Sequence, residues 1–119
     1  MSEILGIGLD LCHIPRMREL IESGHSLRRM FTAEEQAYIR ARGESAAQTM
    51  AGIFAAKEAI LKALGTGMSI PMTDICICHT PLGQPVATLT GSAAEMGGRL
   101  LISITHEGDT AAANAIWIR

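Results

Sequence analysis

Aromatic residues are nearly missing from this chain: Phe31, Phe54, Tyr38 and Trp117 are the only ones among 119 residues. Binding of single-stranded nucleic acid leans on aromatic platforms for base stacking, so no nucleic-acid partner is expected. The core must instead be built from Ile, Leu, Met and Ala within a hydrophobic content of 48%. Three cysteines, an odd number, argue against a disulfide framework and fit a reducing, cytoplasmic setting. No run approaches the ~20 apolar residues of a membrane span. Met1-Ser2-Glu3 also lacks the basic start of a signal peptide, so no membrane association is expected. Internal repeats, low-complexity tracts and inter-domain linkers are missing too, and the length suits one domain spanning 1–119.

What is present is unevenly placed. Net charge is only −2, yet Arg16, Arg18, Arg28, Arg29, Arg40 and Arg42 crowd the first third, while Lys57 and Lys62 are the only lysines. Such an arginine-bearing segment suits an acidic or phosphorylated partner. Glu19, Glu22, Glu34 and Glu35 interleave with it, so an ordinary solvated surface explains it as well.

Alternation over Ile4–Asp10 predicts a first strand with Leu5, Ile7 and Leu9 on one face and Gly6, Gly8 and Asp10 on the other. Two glycines on one face admit a second backbone, or a ligand, beside the carboxylate at the strand's end. Pro15 suits the first turn of a short helix stopped by Gly24. Thr32 with Glu35, and Ser45 with Gln48, have capping-box spacing for a helix to about Arg42 and for a long central helix ended by Gly65 and Gly67. Strands follow at 74–79, 86–89, 100–105 and 110–118, with a short helix at 92–96. That order predicts an α+β fold, the long helix packed on an antiparallel sheet.

The central helix carries the densest information. At 100° per residue Ile53, Phe54, Ile60, Leu61 and Leu64 share a sector, and Lys57 falls inside it. Ala55, Ala56, Ala59 and Ala63 form a smooth remaining face, bordered by Glu58 and Lys62. Lys57 could bury its stem and snorkel to solvent, with Glu58–Lys62 an i,i+4 pair worth ~0.3–0.5 kcal/mol. Alternatively its charge is needed at a site. Asp10 and Glu58, with Lys57 and Lys62 near them, would suit Mg²⁺ carrying a polyphosphate, since Mg²⁺ takes one or two carboxylates plus phosphate oxygens. Gly65-Thr66-Gly67 could offer N–H groups to phosphate, although Gly65 as a helix C-cap is the stronger reading. Ser103 and Thr105 share a strand face, with His106 at the turn beyond. No Gly-x-Ser-x-Gly elbow accompanies them, which excludes a Ser–His–Asp hydrolase of that type. Cys76-x-Cys78-His79, even with Cys12-His13, matches no structural zinc spacing, and Cys76 and Cys78 read as small apolar residues on one strand face.

Taken together, Gly6-Ile7-Gly8-Leu9-Asp10 with Arg16, Phe31-Thr32 with Glu35, Phe54-Ala55-Ala56-Lys57-Glu58-Ala59, Lys62-Ala63-Leu64-Gly65-Thr66-Gly67, Gly83-x-Pro85 and Ser103-Ile104-Thr105-His106 resemble the holo-acyl-carrier-protein synthase family. These are the small 4′-phosphopantetheinyl transferases. The resemblance spans the chain and departs at Ile53, where arginine is usual, and at a shortened 91–98 segment. It implies a Mg²⁺-dependent enzyme of fatty-acid biosynthesis, moving phosphopantetheine from coenzyme A to a serine of apo acyl carrier protein. It implies that Asp10 and Glu58 hold the metal, that Glu58 is the general base, and that Lys62 neutralises the leaving phosphate. Lys57, Lys62, Gly65, Thr66, Pro85, Ser103 and His106 are then expected at coenzyme A, and Arg16, Arg28 and Arg29 at the carrier. A trimer with sites between subunits is implied as well, for which the alanine face offers close packing; packing on the chain's own sheet explains that face equally. Two other classes stay open: a catalytically degenerate coenzyme A-binding member, and an unrelated nucleotide-binding module.

Overall fold

A computed structural model describes residues 3–119; the Met1-Ser2 start lies outside them. The elements run β1 (Ile4–His13), α1 (Ile14–Leu20), α2 (Gly24–Met30), α3 (Ala33–Arg40), α4 (Ala46–Leu64), β2 (Ile75–His79), β3 (Pro85–Leu89), α5 (Gly91–Glu95), β4 (Arg99–Glu107) and β5 (Thr110–Ile118). One antiparallel sheet has the order β1-β5-β4, and β2 and β3 form a separate hairpin. The architecture is the expected α+β, and among the described residues no helix is long and apolar enough to cross a membrane.

α4 is buried almost all round because the sheet meets it without side chains in between. A Cβ on Gly6 would lie 1.9 Å from the Ala63 carbonyl oxygen, and one on Gly8 would lie 1.8 Å from that of Ala59. Only glycine on β1 and alanine on α4 permit that approach. The alanine face is therefore covered by the chain's own sheet, and Ala55, Ala56, Ala59 and Ala63 are all buried. The opposite face of the sheet is left open, with Ile7, Leu9 and Leu11 exposed along β1 and Leu101 on β4.

Local signals succeeded where side chain and backbone agreed. Thr32 and Glu35 form the full capping box of α3, with Glu35 N–H donating to Thr32 Oγ1 at 3.2 Å and Thr32 N–H to Glu35 Oε1 at 2.8 Å. Gly65 adopts φ +73° and caps α4 through Leu61 and Lys62 carbonyls. The Ser45–Gln48 box does not form: a 3₁₀ turn over Gly43–Ser45 runs straight into α4, and the Ser45 side chain makes no cap bond. Gln48 reaches the His106 ring instead, at 3.1 Å. α2 had no separate forecast, although Ser23 caps it by accepting from Ser26 N–H. β1 continues three residues beyond Asp10, which pairs with Ala113 inside the ladder instead of ending the strand.

Candidate active site

The close approach of α4 to β1 brings the helix's last turns to Asp10. Lys62 Nζ donates to Asp10 Oδ1 at 3.0 Å and to the Leu9 carbonyl at 2.9 Å. Lys62 thus pairs across elements, and the expected i,i+4 pair with Glu58 is not among the ion pairs of the described residues. Glu58 lies one turn earlier, half-buried. Partial burial holds its carboxyl above the usual range, the charge of Asp10 pushes the same way, and Lys62 and Arg16 oppose. Two carboxylates close enough for the charge of Asp10 to act on Glu58, with cations beside them, are a donor set that fits a hard divalent ion such as Mg²⁺. The buried thiol of Cys12 feels the same charges: burial raises its pKa most, Arg16 lowers it, and Asp10 and Glu58 raise it.

From Glu58 a cleft of about 610 Å³ extends to Arg16, Arg28 and Arg29, over apolar groups that include Met30, Phe54 and Ile70. The three arginines expected at a carrier protein therefore line one cavity with the expected base. A second cleft, about 480 Å³, opens on the other side of α4 and holds Pro85 and His106 with Tyr38, Arg42, Gln48 and His79. Ile53 lies in its wall, and Arg42 brings the permanent positive charge that Ile53 lacks. Tyr38 and His79 stack with centroids 4.2 Å apart and planes 2° apart, and Arg42 sits 5.5 Å above the Tyr38 ring. Burial, then Arg42, lowers the His79 pKa, so the ring is held towards its neutral form. Its Nδ1 is buried without a hydrogen-bond partner among the described residues.

Lys57, Gly65, Thr66 and Ser103, all expected at coenzyme A, line neither cleft. Lys57 neither snorkels nor faces a cleft: it is wholly buried, donating to Glu35 Oε1 at 2.5 Å and to the Met30 carbonyl at 2.8 Å. With no exposed surface, its ammonium lines neither cleft. Burial lowers its pKa most, and Glu35 works against that. Ser103 sits on the open outer face of the sheet, donating to Asn114 Oδ1 at 2.7 Å, apart from the His106 cleft. Thr66 lines neither cleft; it follows the Gly65 cap, and its carbonyl accepts from Ser69 Oγ at 2.8 Å. Sequence reasoning missed Glu35 as Lys57's partner and missed Arg42, Tyr38, Gln48 and His79. A lysine inside an apolar sector did signal that its charge was either carried to solvent or needed for something, but spacing pointed to no buried partner.

Residues 6–112 match the model of the 4′-phosphopantetheinyl transferase superfamily. The chain is 47% identical to a holo-[acyl-carrier-protein] synthase of Desulforudis audaxviator, over 95% of this chain and 92% of that protein. Its structure resembles the holo-[acyl-carrier-protein] synthase of Neisseria meningitidis with a TM-score of 0.86 and 29% identity, covering 97% and 98% of the two chains. It also resembles a Bacillus anthracis holo-(acyl-carrier-protein) synthase solved in complex with CoA (3′,5′-ADP), with a TM-score of 0.83 and 27% identity over 97% and 96%. A shared fold, end-to-end similarity and a motif set gathered around Asp10 and Glu58 place the chain in the holo-[acyl-carrier-protein] synthase family of the 4′-phosphopantetheinyl transferases.

Proposed function

We propose that the chain, acting as one domain, transfers the 4′-phosphopantetheine group of coenzyme A to a serine of apo acyl carrier protein. The observation that carries this reading is the convergence of Asp10, Glu58 and Lys62, with Glu58 opening onto the arginine-lined cleft. In the reaction the serine oxygen forms a bond to the pantetheine-side phosphorus, and the bond from that phosphorus to the bridging oxygen breaks. Adenosine 3′,5′-bisphosphate leaves. Glu58, whose carboxyl binds a proton more tightly than an exposed glutamate, accepts the serine proton directly or through a water. Lys62 offsets charge on the leaving phosphate from its place beside Asp10. Asp10 and Glu58 are the residues that would hold Mg²⁺, which when bound supplies charge neutralisation at the pyrophosphate.

Arg42, Pro85 and His106 give the second cleft a cationic, ring-lined character suited to the nucleotide end of coenzyme A. Gly65 and Thr66 position the end of α4 beside Lys62. The acidic carrier docks along Arg16, Arg28 and Arg29, where charge steers encounter. Assembly as a trimer uses the open face of β1, where Ile7, Leu9 and Leu11 are each more than half exposed, and not the alanine face already covered. Ser103, on that same open face, would then serve a neighbouring subunit's site. Apo carrier incubated with the chain, coenzyme A and Mg²⁺ should gain the mass of one phosphopantetheine at a serine, and chelation should stop it. An unchanged carrier mass with several apo carriers and a folded enzyme would overturn the reading. Coenzyme A binding without transfer would mark a degenerate member instead.

A further inference from the structure

Outside both clefts, β2 turns Cys76 and Cys78 towards the first turn of α3. Cys76 Sγ lies 3.6 Å from Cys78 Sγ, 3.7 Å from Glu34 Oε2 and 3.3 Å from Thr32 Oγ1. One donor atom from each of Glu34, Cys76 and Cys78 falls within 4.8 Å of the other two. His79, which the sequence pairs with these cysteines, is engaged in its stack on Tyr38 and takes no part. Glu34 comes from 42 residues earlier in the chain, so spacing along the sequence could not reveal it.

These separations can be compared with a coordination shell. Zn–S bonds of ~2.3 Å and a Zn–O bond of ~2.0–2.2 Å, set tetrahedrally, put two sulfurs ~3.8 Å apart and a sulfur and an oxygen ~3.6 Å apart. The observed 3.6 and 3.7 Å are within a few tenths of an ångström of those edges. A disulfide would require ~2.05 Å. Cys76 is buried while Cys78 and Glu34 are exposed, so an ion can enter from solvent and still rest against the protein. Thr32 Oγ1 is occupied as the α3 cap, accepting from Glu35 N–H, and leaves the fourth vertex to water.

We propose that Glu34, Cys76 and Cys78 form a three-ligand site for a thiophilic divalent cation of the zinc class, tying the start of α3 to β2. Thiolates select such ions over Mg²⁺, so this site is chemically separate from the all-oxygen pair Asp10 and Glu58. Binding replaces two thiol protons, which are released to solvent, and neither sulfur changes oxidation state. The ion would brace the α3 terminus that also presents Glu35 to Lys57.

The full chain, reduced and metal-free, should be titrated with Co²⁺ and then Zn²⁺. One Co²⁺ per chain should bind with thiolate charge-transfer absorption in the near ultraviolet, and Zn²⁺ should displace it. Cys78→Ser should remove about half that absorption and weaken Zn²⁺ binding on the order of 10-fold or more. Glu34→Gln should weaken Zn²⁺ similarly while keeping the thiolate band; Cys12→Ala and Asp10→Asn should change neither. Both Cys78 and Glu34 are exposed, so melting curves of their variants should stay close to the parent's; if Cys78→Ser fails to fold, the Glu34→Gln affinity decides. Absence of the thiolate band, or Zn²⁺ affinity indifferent to Glu34→Gln, would overturn the site. Loss of two hydrogens as a Cys76–Cys78 disulfide without metal uptake under these conditions would overturn it as well.

Discussion

Lys57 and Lys62 stand five positions apart on α4 and occupy opposite worlds. Lys57 and its partner Glu35 are wholly buried at 2.5 Å, whereas the Lys62 side chain is 54% exposed and meets Asp10 at 3.0 Å. The first pair is enclosed within a hydrogen-bond network: Glu35 also accepts from Thr32 N–H at 2.8 Å and from Ile77 N–H at 2.7 Å, and Lys57 also donates to the Met30 carbonyl. It joins α2, α3, β2 and α4 at one point. The second pair lies at the rim of the proposed site, where water and a phosphate can compete for either partner. The same residue type, on one helix, thus serves architecture in one case and accessible charge in the other.

Breaking the buried pair should produce the largest effect. Lys57→Ala leaves Glu35 as an uncompensated interior charge, a change that typically costs about 3–5 kcal/mol. For a chain of this size that is a fall in Tm of roughly 10–20 °C. Scanning calorimetry checks it. A stability loss below about 1 kcal/mol would mean that the pair is not enclosed as described. Glu35→Gln in the Lys57→Met background should recover part of the loss, because no orphan charge remains while an acceptor for Thr32 or Ile77 is kept.

Next in size is the contact that sets Asp10 beside Lys62. Gly8→Ala would drive a methyl against the Ala59 carbonyl oxygen and force α4 away from β1. Overpacking of this kind costs about 1–3 kcal/mol. Transfer activity should fall more than stability does, because the displaced elements carry Glu58 and Lys62 on one side and Asp10 on the other. A Gly8→Ala variant with normal melting and normal turnover would show that the approach is looser than the backbone spacing indicates.

Much of this was legible beforehand, for identifiable reasons. The Gly6/Gly8 face announced a close approach, by a backbone or a ligand, and the Thr32/Glu35 spacing announced a helix start, because each depends on residues near in sequence. Lys57 within an apolar sector announced a conflict, read as snorkelling or as a charge needed at a site; its actual resolution is a distant partner, Glu35, which spacing marked only as a cap. Ser45–Gln48 had the right spacing and failed because the preceding turn is already helical in sense, which leaves no extended N-cap for the serine. The second cleft was legible only in Pro85 and His106. Tyr38, Arg42 and His79 come together through the docking of α3 on β2, and no local pattern encodes that. The alanine face was ambiguous until the sheet was seen to cover it.

Lys62→Ala should be the mirror of Lys57→Ala, with stability falling by less than about 1 kcal/mol because the pair is exposed. Phosphopantetheine transfer should nonetheless drop severalfold or more if Lys62 meets the leaving phosphate. Thermal melts alongside kcat at saturating coenzyme A separate the two quantities. A large stability loss with unchanged kcat would reverse the roles assigned to the two lysines.

The smallest effect is the most discriminating, and it concerns the proton on Glu58. Burial raises its pKa first and Asp10 second, while Lys62 and Arg16 lower it; Lys57, its covalent neighbour, is not among the charges that act on it. Two variants of the metal-free protein should therefore move the Glu58 titration, followed by carboxyl-carbon NMR, in opposite directions, and a third should not. Asp10→Asn removes a repelling charge and should lower the pKa, though not to the value of an exposed glutamate, since burial persists. Lys62→Ala removes an attracting charge and should raise it. Lys57→Met, despite being adjacent in sequence, should leave it nearly unmoved wherever the fold survives. The sign carries through to stability: the folded chain binds this proton more tightly than the unfolded chain, so Glu58 costs stability as pH rises from its unfolded value through its raised folded value. Asp10→Asn should narrow that window and Lys62→Ala should widen it. A Glu58 that responds to Lys57 as strongly as to Lys62 would erase the distinction between the buried and the exposed lysine.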